Sequence, residues 1–140
     1  MLILTGVMVS LSSCTTDRTD NTNEEVAEDF ERERNELKQE LRELRNDIDQ
    51  ELEKVDRKLD AAANDKEMEE DRVELEKANR ELTQERSRLD NTLEDVENAS
   101  EETWDDVKVA ARNTSEEVKA AFQRMGNELE ALFDDNETQE

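Results

Sequence analysis

One side chain in this sequence is placed for covalent chemistry, and it sits near the start. Cys14 is the only cysteine in 140 residues. It follows the mostly apolar run Leu2–Val9 and the small residues Ser12 and Ser13, and it precedes "TTDRTDNTN", which has no apolar residue. The apolar run is too short to span a bilayer, which takes roughly 20 apolar residues. An apolar stretch of this length ending in small residues reads as a secretory signal peptide, here residues 1–13. With no second cysteine and no histidine, a disulfide framework and a Cys/His metal site are both excluded.

Other reactive constellations fail on chemical grounds. Acid–base work lacks a histidine, and the two glycines, Gly6 and Gly126, form no phosphate loop. The pairs Glu69-Glu70, Glu101-Glu102 and Asp105-Asp106 are weak candidates for divalent ions. A calcium site needs about six to eight converging oxygens, usually on a loop, and neighbouring carboxylates on a helix diverge. No catalytic residue, cofactor or metal ligand is assigned, and the chain is read as non-enzymatic. The formal net charge of −23 repels phosphates, so nucleic acid is not an expected partner.

The tetrad Leu11-Ser12-Ser13-Cys14 resembles the lipobox of bacterial lipoproteins. That resemblance implies that the Cys14 thiol takes a diacylglyceryl group and that cleavage leaves Cys14 as the first residue of the mature protein. Attachment to a bilayer would be firm, because buried acyl CH₂ groups contribute about 0.8 kcal/mol each. Thr15 stands where an Asp favours inner-membrane retention in enterobacterial lipoproteins, which points to the outer membrane. A signal normally opens with Lys or Arg, whereas the first charge here is Asp17, so a basic segment is expected upstream of Met1. The chain given ends in Glu140 rather than the Lys of the murein-linked lipoprotein, so that covalent linkage is not expected. The competing reading is a cytosolic chain with an apolar tail and an incidental cysteine.

What Cys14 would anchor is helical. Charged residues make up 44% of the chain, aromatics 3%, and there is no proline. Charged residues with Leu and Ala at helical spacing point to long helices and coiled coils. Residues 14–23 form the expected tether, disordered and reaching at most about 30 Å. Thr22 and Glu25 have capping-box spacing for a first helix over 22–63. Its apolar row is Val26, Phe30, Leu37, Leu41, Leu44, Ile48, Leu52, Val55 and Leu59, an 11-residue pattern interrupted at Glu33. A second helix over 65–98 carries Met68, Leu75, Leu82, Leu89 and Val96 seven apart, with the poor companions Asp71, Ala78, Glu85 and Thr92. Asn64 and Glu67 are the expected cap partners between them. A fold-back at Asn64 would set Leu59 against Met68, Leu52 against Leu75 and Leu37 near Leu89.

The last segment, 100–133, returns to a period of eleven. Aligned, it reads "LEDVENASEET", "WDDVKVAARNT", "SEEVKAAFQRM" and "GNELEALFDDN". Position four is Val96, Val107, Val118 and Leu129; position seven is Ala99, Ala110, Ala121 and Leu132. Residues 93–133 resemble small bacterial coiled-coil proteins of a stress-response type, which carry Trp-acid-acid-aliphatic-Lys repeats ending in Ala-Phe. Trp104, Asp105, Asp106, Val107 and Lys108 match one unit. Glu116, Glu117, Val118, Lys119, Ala121 and Phe122 match the next, with Ser115 where a second Trp often stands. Exchangeable apolipoproteins and desiccation-related helical proteins use similar repeats.

The fold class expected is therefore all-α: an elongated coiled-coil hairpin or three-helix bundle over residues 24–133, followed by an acidic tail, 134–140. Trp104, Val107, Val118, Phe122, Leu129 and Phe133 form the expected partner or packing face. Two functions follow. One is a membrane-anchored envelope lipoprotein acting as a structural or stress-related coiled coil, with the bilayer, a second copy or an envelope protein as partner. The other is an amphipathic lipid-surface binder that lays residues 100–133 on a membrane.

Overall fold

A computed structural model describes the chain over residues 20–134, with side chains over 24–133. Residues 1–19, which include the expected signal peptide, Cys14 and most of the expected tether, lie outside the described residues, as do residues 135–140. Three helices and no strand occur among the described residues: α1 (Asp20–Ala62), α2 (Glu69–Asn98) and α3 (Trp104–Asp134). At 1.5 Å per residue they measure about 64, 45 and 46 Å. They pack as an up-down-up bundle, with α1 and α3 parallel.

Local forces favour these helices throughout. Pairs such as Asp29–Arg32, Glu31–Arg34, Glu51–Lys54 and Glu85–Arg88 set the acid one turn before the base, which complements the helix dipole. Glu69, Glu70 and Asp71 open α2, and Asp105 and Asp106 open α3, where negative charge meets the positive end of the dipole. α1 starts at Asp20, two residues ahead of the expected cap, so Thr22 lies inside the helix and residues 20–23 belong to it rather than to the tether.

The two turns form without any residue at positive φ. The expected Asn64–Glu67 cap does not form. Within the turn, Asp65 Oδ1 accepts the Glu67 backbone N–H at 3.0 Å, and α2 begins only at Glu69, with Met68 at its N-cap position and no side-chain cap. Before α3, Ser100 and Thr103 make a reciprocal pair. Thr103 Oγ1 accepts the Ser100 N–H at 3.0 Å while the Thr103 N–H donates to the Ser100 carbonyl at 3.2 Å. That closure ends the 11-residue register that runs through this stretch in the sequence.

The core steps by seven in all three helices. α1 buries Leu41, Ile48, Val55 and Ala62, with Leu37 and Leu44 beside them. α2 buries Leu75, Leu82, Leu89 and Val96, and its companion row is better than expected, with Ala78, Thr92 and Ala99 also buried. Thr92 satisfies its hydroxyl on the Arg88 carbonyl at 2.8 Å. α3 buries Trp104, Ala111, Val118 and Met125, with Ser115 and Leu129 on the adjoining row. The expected rows supply Leu37, Leu41, Leu44, Ile48 and Val55 on α1 and Val118 and Leu129 on α3, but the fully buried series steps by seven rather than eleven. Helices that cross at about 20° keep a 3.5-residue period facing their neighbours. The residues on which the two periods disagree move to the flanks: Leu52 and Leu59 are half-buried, and Ala110 is exposed. Val26 is 56% exposed, because α1 projects beyond the bundle at its start.

Polar pairs fix the hairpin register. Lys38, Arg45, Asp49 and Asp56 on α1 meet Glu97, Asp90, Arg86 and Asn79 on α2, at 3.2, 2.5, 2.5 and 2.7 Å. Each step of seven or four residues up α1 is matched by the same step back along α2. Leu37 is thereby set near the end of α2, close to Ala99, and not near Leu89 as the sequence register had it. Part of the shift is local: the turn takes residues 63–68 where one residue, Asn64, was allotted.

Candidate functional site

The site that the fold builds lies between α1 and α3, and it begins at Glu33. In the sequence this residue interrupts the apolar row of α1. In the bundle its Oε2 accepts the Trp104 indole N–H at 2.9 Å and the Lys108 ammonium at 2.7 Å. The Trp104 ring meets Phe30 edge-on, with centroids 5.4 Å apart and an 80° angle between planes. Arg34 lies 5.0 Å from the Phe30 ring and Lys108 lies 5.9 Å from the Trp104 ring. Trp104 is 5% exposed.

The arrangement recurs one unit later. Glu40 Oε1 accepts the Ser115 hydroxyl at 3.1 Å and the Lys119 ammonium. Thus Trp104/Lys108 and Ser115/Lys119, each four residues apart on α3, close on single carboxylate oxygens of α1. The 11-residue repeat of α3 has its structural meaning here. It repeats a polar clasp on a helix whose apolar core repeats every seven residues. The two glutamates are seven residues apart and their lysines eleven, a mismatch of about 6 Å along the axis at 1.5 Å per residue. Two long flexible side chains absorb it.

Both carboxyls are held below their ordinary range. For Glu33 the causes, in order, are the hydrogen bonds from Lys108 and from Trp104. For Glu40 the largest cause is the hydrogen bond from Lys119. On the α1–α2 side, Glu97 is lowered by Lys38 and then Arg42. The Arg88 guanidinium is raised by Glu117, which it meets at 2.5 Å between α2 and α3.

The expected face of α3 divides into three environments. Trp104, Val118 and Leu129 are buried in the core. Phe122 and Phe133 are half-buried against it, and Phe133 also carries Lys58 at 5.2 Å from its ring centroid. Val107 turns toward an open groove of about 400 Å³ between α2 and α3, with Thr92, Ala99, Thr103, Ala110 and Asp106. The residues absent from the sequence reading are Glu33 and Glu40 as acceptors and Ser115 and Lys119 as their donors. The available signal was the pairing of Trp or Ser with a Lys four residues on, twice, against glutamates spaced by seven.

Chemically, the clasps bind helix to helix. Each uses an acceptor, a neutral donor and a cation, and they leave no activated nucleophile. Among the described residues, no group of three acidic side chains converges to hold a metal ion. None of the described helices is long and apolar enough to cross a membrane. No protein-family model, curated protein or solved structure matches this chain.

Proposed function

We propose that this chain is a non-enzymatic envelope lipoprotein, anchored in a bilayer through acylated Cys14 and acting as a structural or stress-related helical element. The observation that carries the reading is the position of Cys14, at the seam between an apolar run with small residues and a polar tether. The architecture is consistent with a spacer. α1 starts six residues after Cys14 and extends for about 64 Å, which gives the bundle the elongated form of a spacer. The outer membrane is the favoured location, from Thr15.

The lipid-surface alternative is less favoured, for a specific reason. Of Trp104, Phe122 and Phe133, which would have to insert at a headgroup boundary, Trp104 is buried and both phenylalanines are half-buried against the chain's own bundle. Exposing them would cost the α3 packing and both clasps.

Metabolic labelling tests the anchor. Labelled palmitate should enter the wild-type protein expressed with a functional signal, and should not enter Cys14→Ala. A wild-type protein that stays unlabelled and in the soluble fraction contradicts the lipoprotein reading.

A further inference from the structure

We infer that the open groove between α2 and α3 is a docking site for a basic amphipathic helix of a partner protein, with an arginine of that helix standing between Asp95 and Ala110. The polar pairs across α2 and α3 form a ladder with one rung missing. Glu81 faces Arg124 at 3.6 Å, and Arg88 faces Glu117 at 2.5 Å. Each step is seven residues forward on α2 and seven back on α3. The next step brings Asp95 opposite Ala110, and both line the groove of about 400 Å³. An arginine closes each of the first two rungs. At the third, a methyl group stands in its place.

The groove selects its occupant by shape and by charge. Its floor is small and apolar: Ala99 and Ala111 are buried and Val107 is half-buried. Such a floor lets a second helix lie close, as in helix-in-groove recognition. Its rim is acidic. Asp95 and Asp106 are exposed, and neither has an ion-pair partner among the described residues. No cation lines the groove, and Arg88 is already held by Glu85 and Glu117. An arginine suits both surfaces, because its methylene stem covers apolar floor while its guanidinium bonds a carboxylate. The other end of the same ladder is closed: there Glu74 and Lys77 share a space of only about 10 Å³.

A fluorescent helical peptide of alanine, leucine and arginine tests this, with its arginines seven residues apart on the apolar face. A control peptide has the same composition with the arginines on the opposite face. Both are titrated into the full chain, as Cys14→Ser, at about 150 mM salt, where a Debye length of about 8 Å screens the general attraction to a chain at −23. The first peptide should bind and the control should not. Asp95→Asn with Asp106→Asn should weaken binding roughly fivefold to tenfold, as for the loss of two exposed pairs. Asp60→Asn with Glu67→Gln removes the same charge at the other end of the bundle and should leave binding unchanged. Ala110→Arg supplies the missing cation from within, so it should abolish binding while holding or raising the denaturant midpoint. A fall in that midpoint means that the rung has no room for a guanidinium and overturns the proposal. So does an absence of binding, equal binding of the two peptides, or equal losses in the two charge variants. Displacement of the peptide by free ethylguanidinium at a comparable concentration would assign the groove to a small organic cation and refute a helical partner.

Discussion

The two interfaces of α1 are built differently. Toward α2 it offers a leucine seam, Leu41, Leu44 and Ile48 against Leu89 and its neighbours, with polar pairs at the margin. Toward α3 it offers fewer apolar contacts and two glutamates, each closed on by a hydrogen-bond donor and a lysine. The first kind of contact rests mainly on burial, with ion pairs such as Arg45–Asp90 and Lys38–Glu97 added at its margin. The second rests on charge at half-exposed positions, which is sensitive to salt and acid. The comparison teaches that the attachment of α3 to α1 is expected to depend more on charge than the α1–α2 hairpin does, because its two polar clasps stand beside a smaller apolar contact.

The largest expected effect lies on the hairpin side. Leu82 is fully buried on α2, and Leu41 is fully buried on α1. Leu82→Ala or Leu41→Ala should each cost about 2–5 kcal/mol, from lost transfer energy and the cavity left behind. Denaturant unfolding should show the loss undiminished at high salt. Equal losses that vanish in salt would break the distinction between the interfaces.

A smaller effect is expected at the clasps, and its sign follows from their titration. Glu33 and Glu40 have folded pKa values below the ordinary value of 4.5. A depressed carboxylate contributes stability that is present above its unfolded pKa and is lost as pH falls through the folded one. Glu33→Gln with Glu40→Gln should therefore destabilise the bundle near neutral pH and flatten its loss of stability on acidification below about pH 4.5. The reference must be the parent chain, because protonating exposed acids also relieves the self-repulsion of a chain at −23. If parent and variant keep the same acid limb, the clasps do not hold α3.

The smallest effect tests α3 itself, at an open position in its groove with α1. Gly126 lies inside the helix at ordinary φ, and a methyl group built there meets nothing within 4 Å. Gly126→Ala should raise stability by about 0.5–1 kcal/mol, read as a higher denaturant midpoint with unchanged slope. A loss instead would mean that this face of α3 is covered in solution.

Much of this was legible in the sequence. Three helices, the all-α class and both turns follow from an absence of proline, from heptads in α2 and from polar residues at 64–67 and 100–103. The hairpin register was not. Rows that repeat every seven residues match at several offsets, and only the lengths of the turn and the pairing of Arg45 with Asp90 choose among them. The clasps were hidden for a related reason. Glu33 in an apolar row looks like a defect until the indole and ammonium that face it are brought up by a helix seventy residues away. The period of eleven was read as a packing stripe, and its position-four residues Val96, Val118 and Leu129 are buried; what the sequence did not show is that two of its units also place donors opposite Glu33 and Glu40. Cys14 was legible as chemistry, and it lies outside the described residues.

Trp104 is the single indole of the chain, and it decides between a helix packed at home and one laid on lipid. The most direct measurement is its emission in the chain from residue 15 onward, without the anchor, recorded in buffer and then with anionic and zwitterionic vesicles. Burial against Phe30 and Glu33 predicts a shielded indole in buffer and an emission maximum that vesicles leave unchanged, with constant helicity. A blue shift that appears only when vesicles are added, with helicity rising alongside it, would contradict the bundle as the resting place of α3 and move the function to the lipid surface.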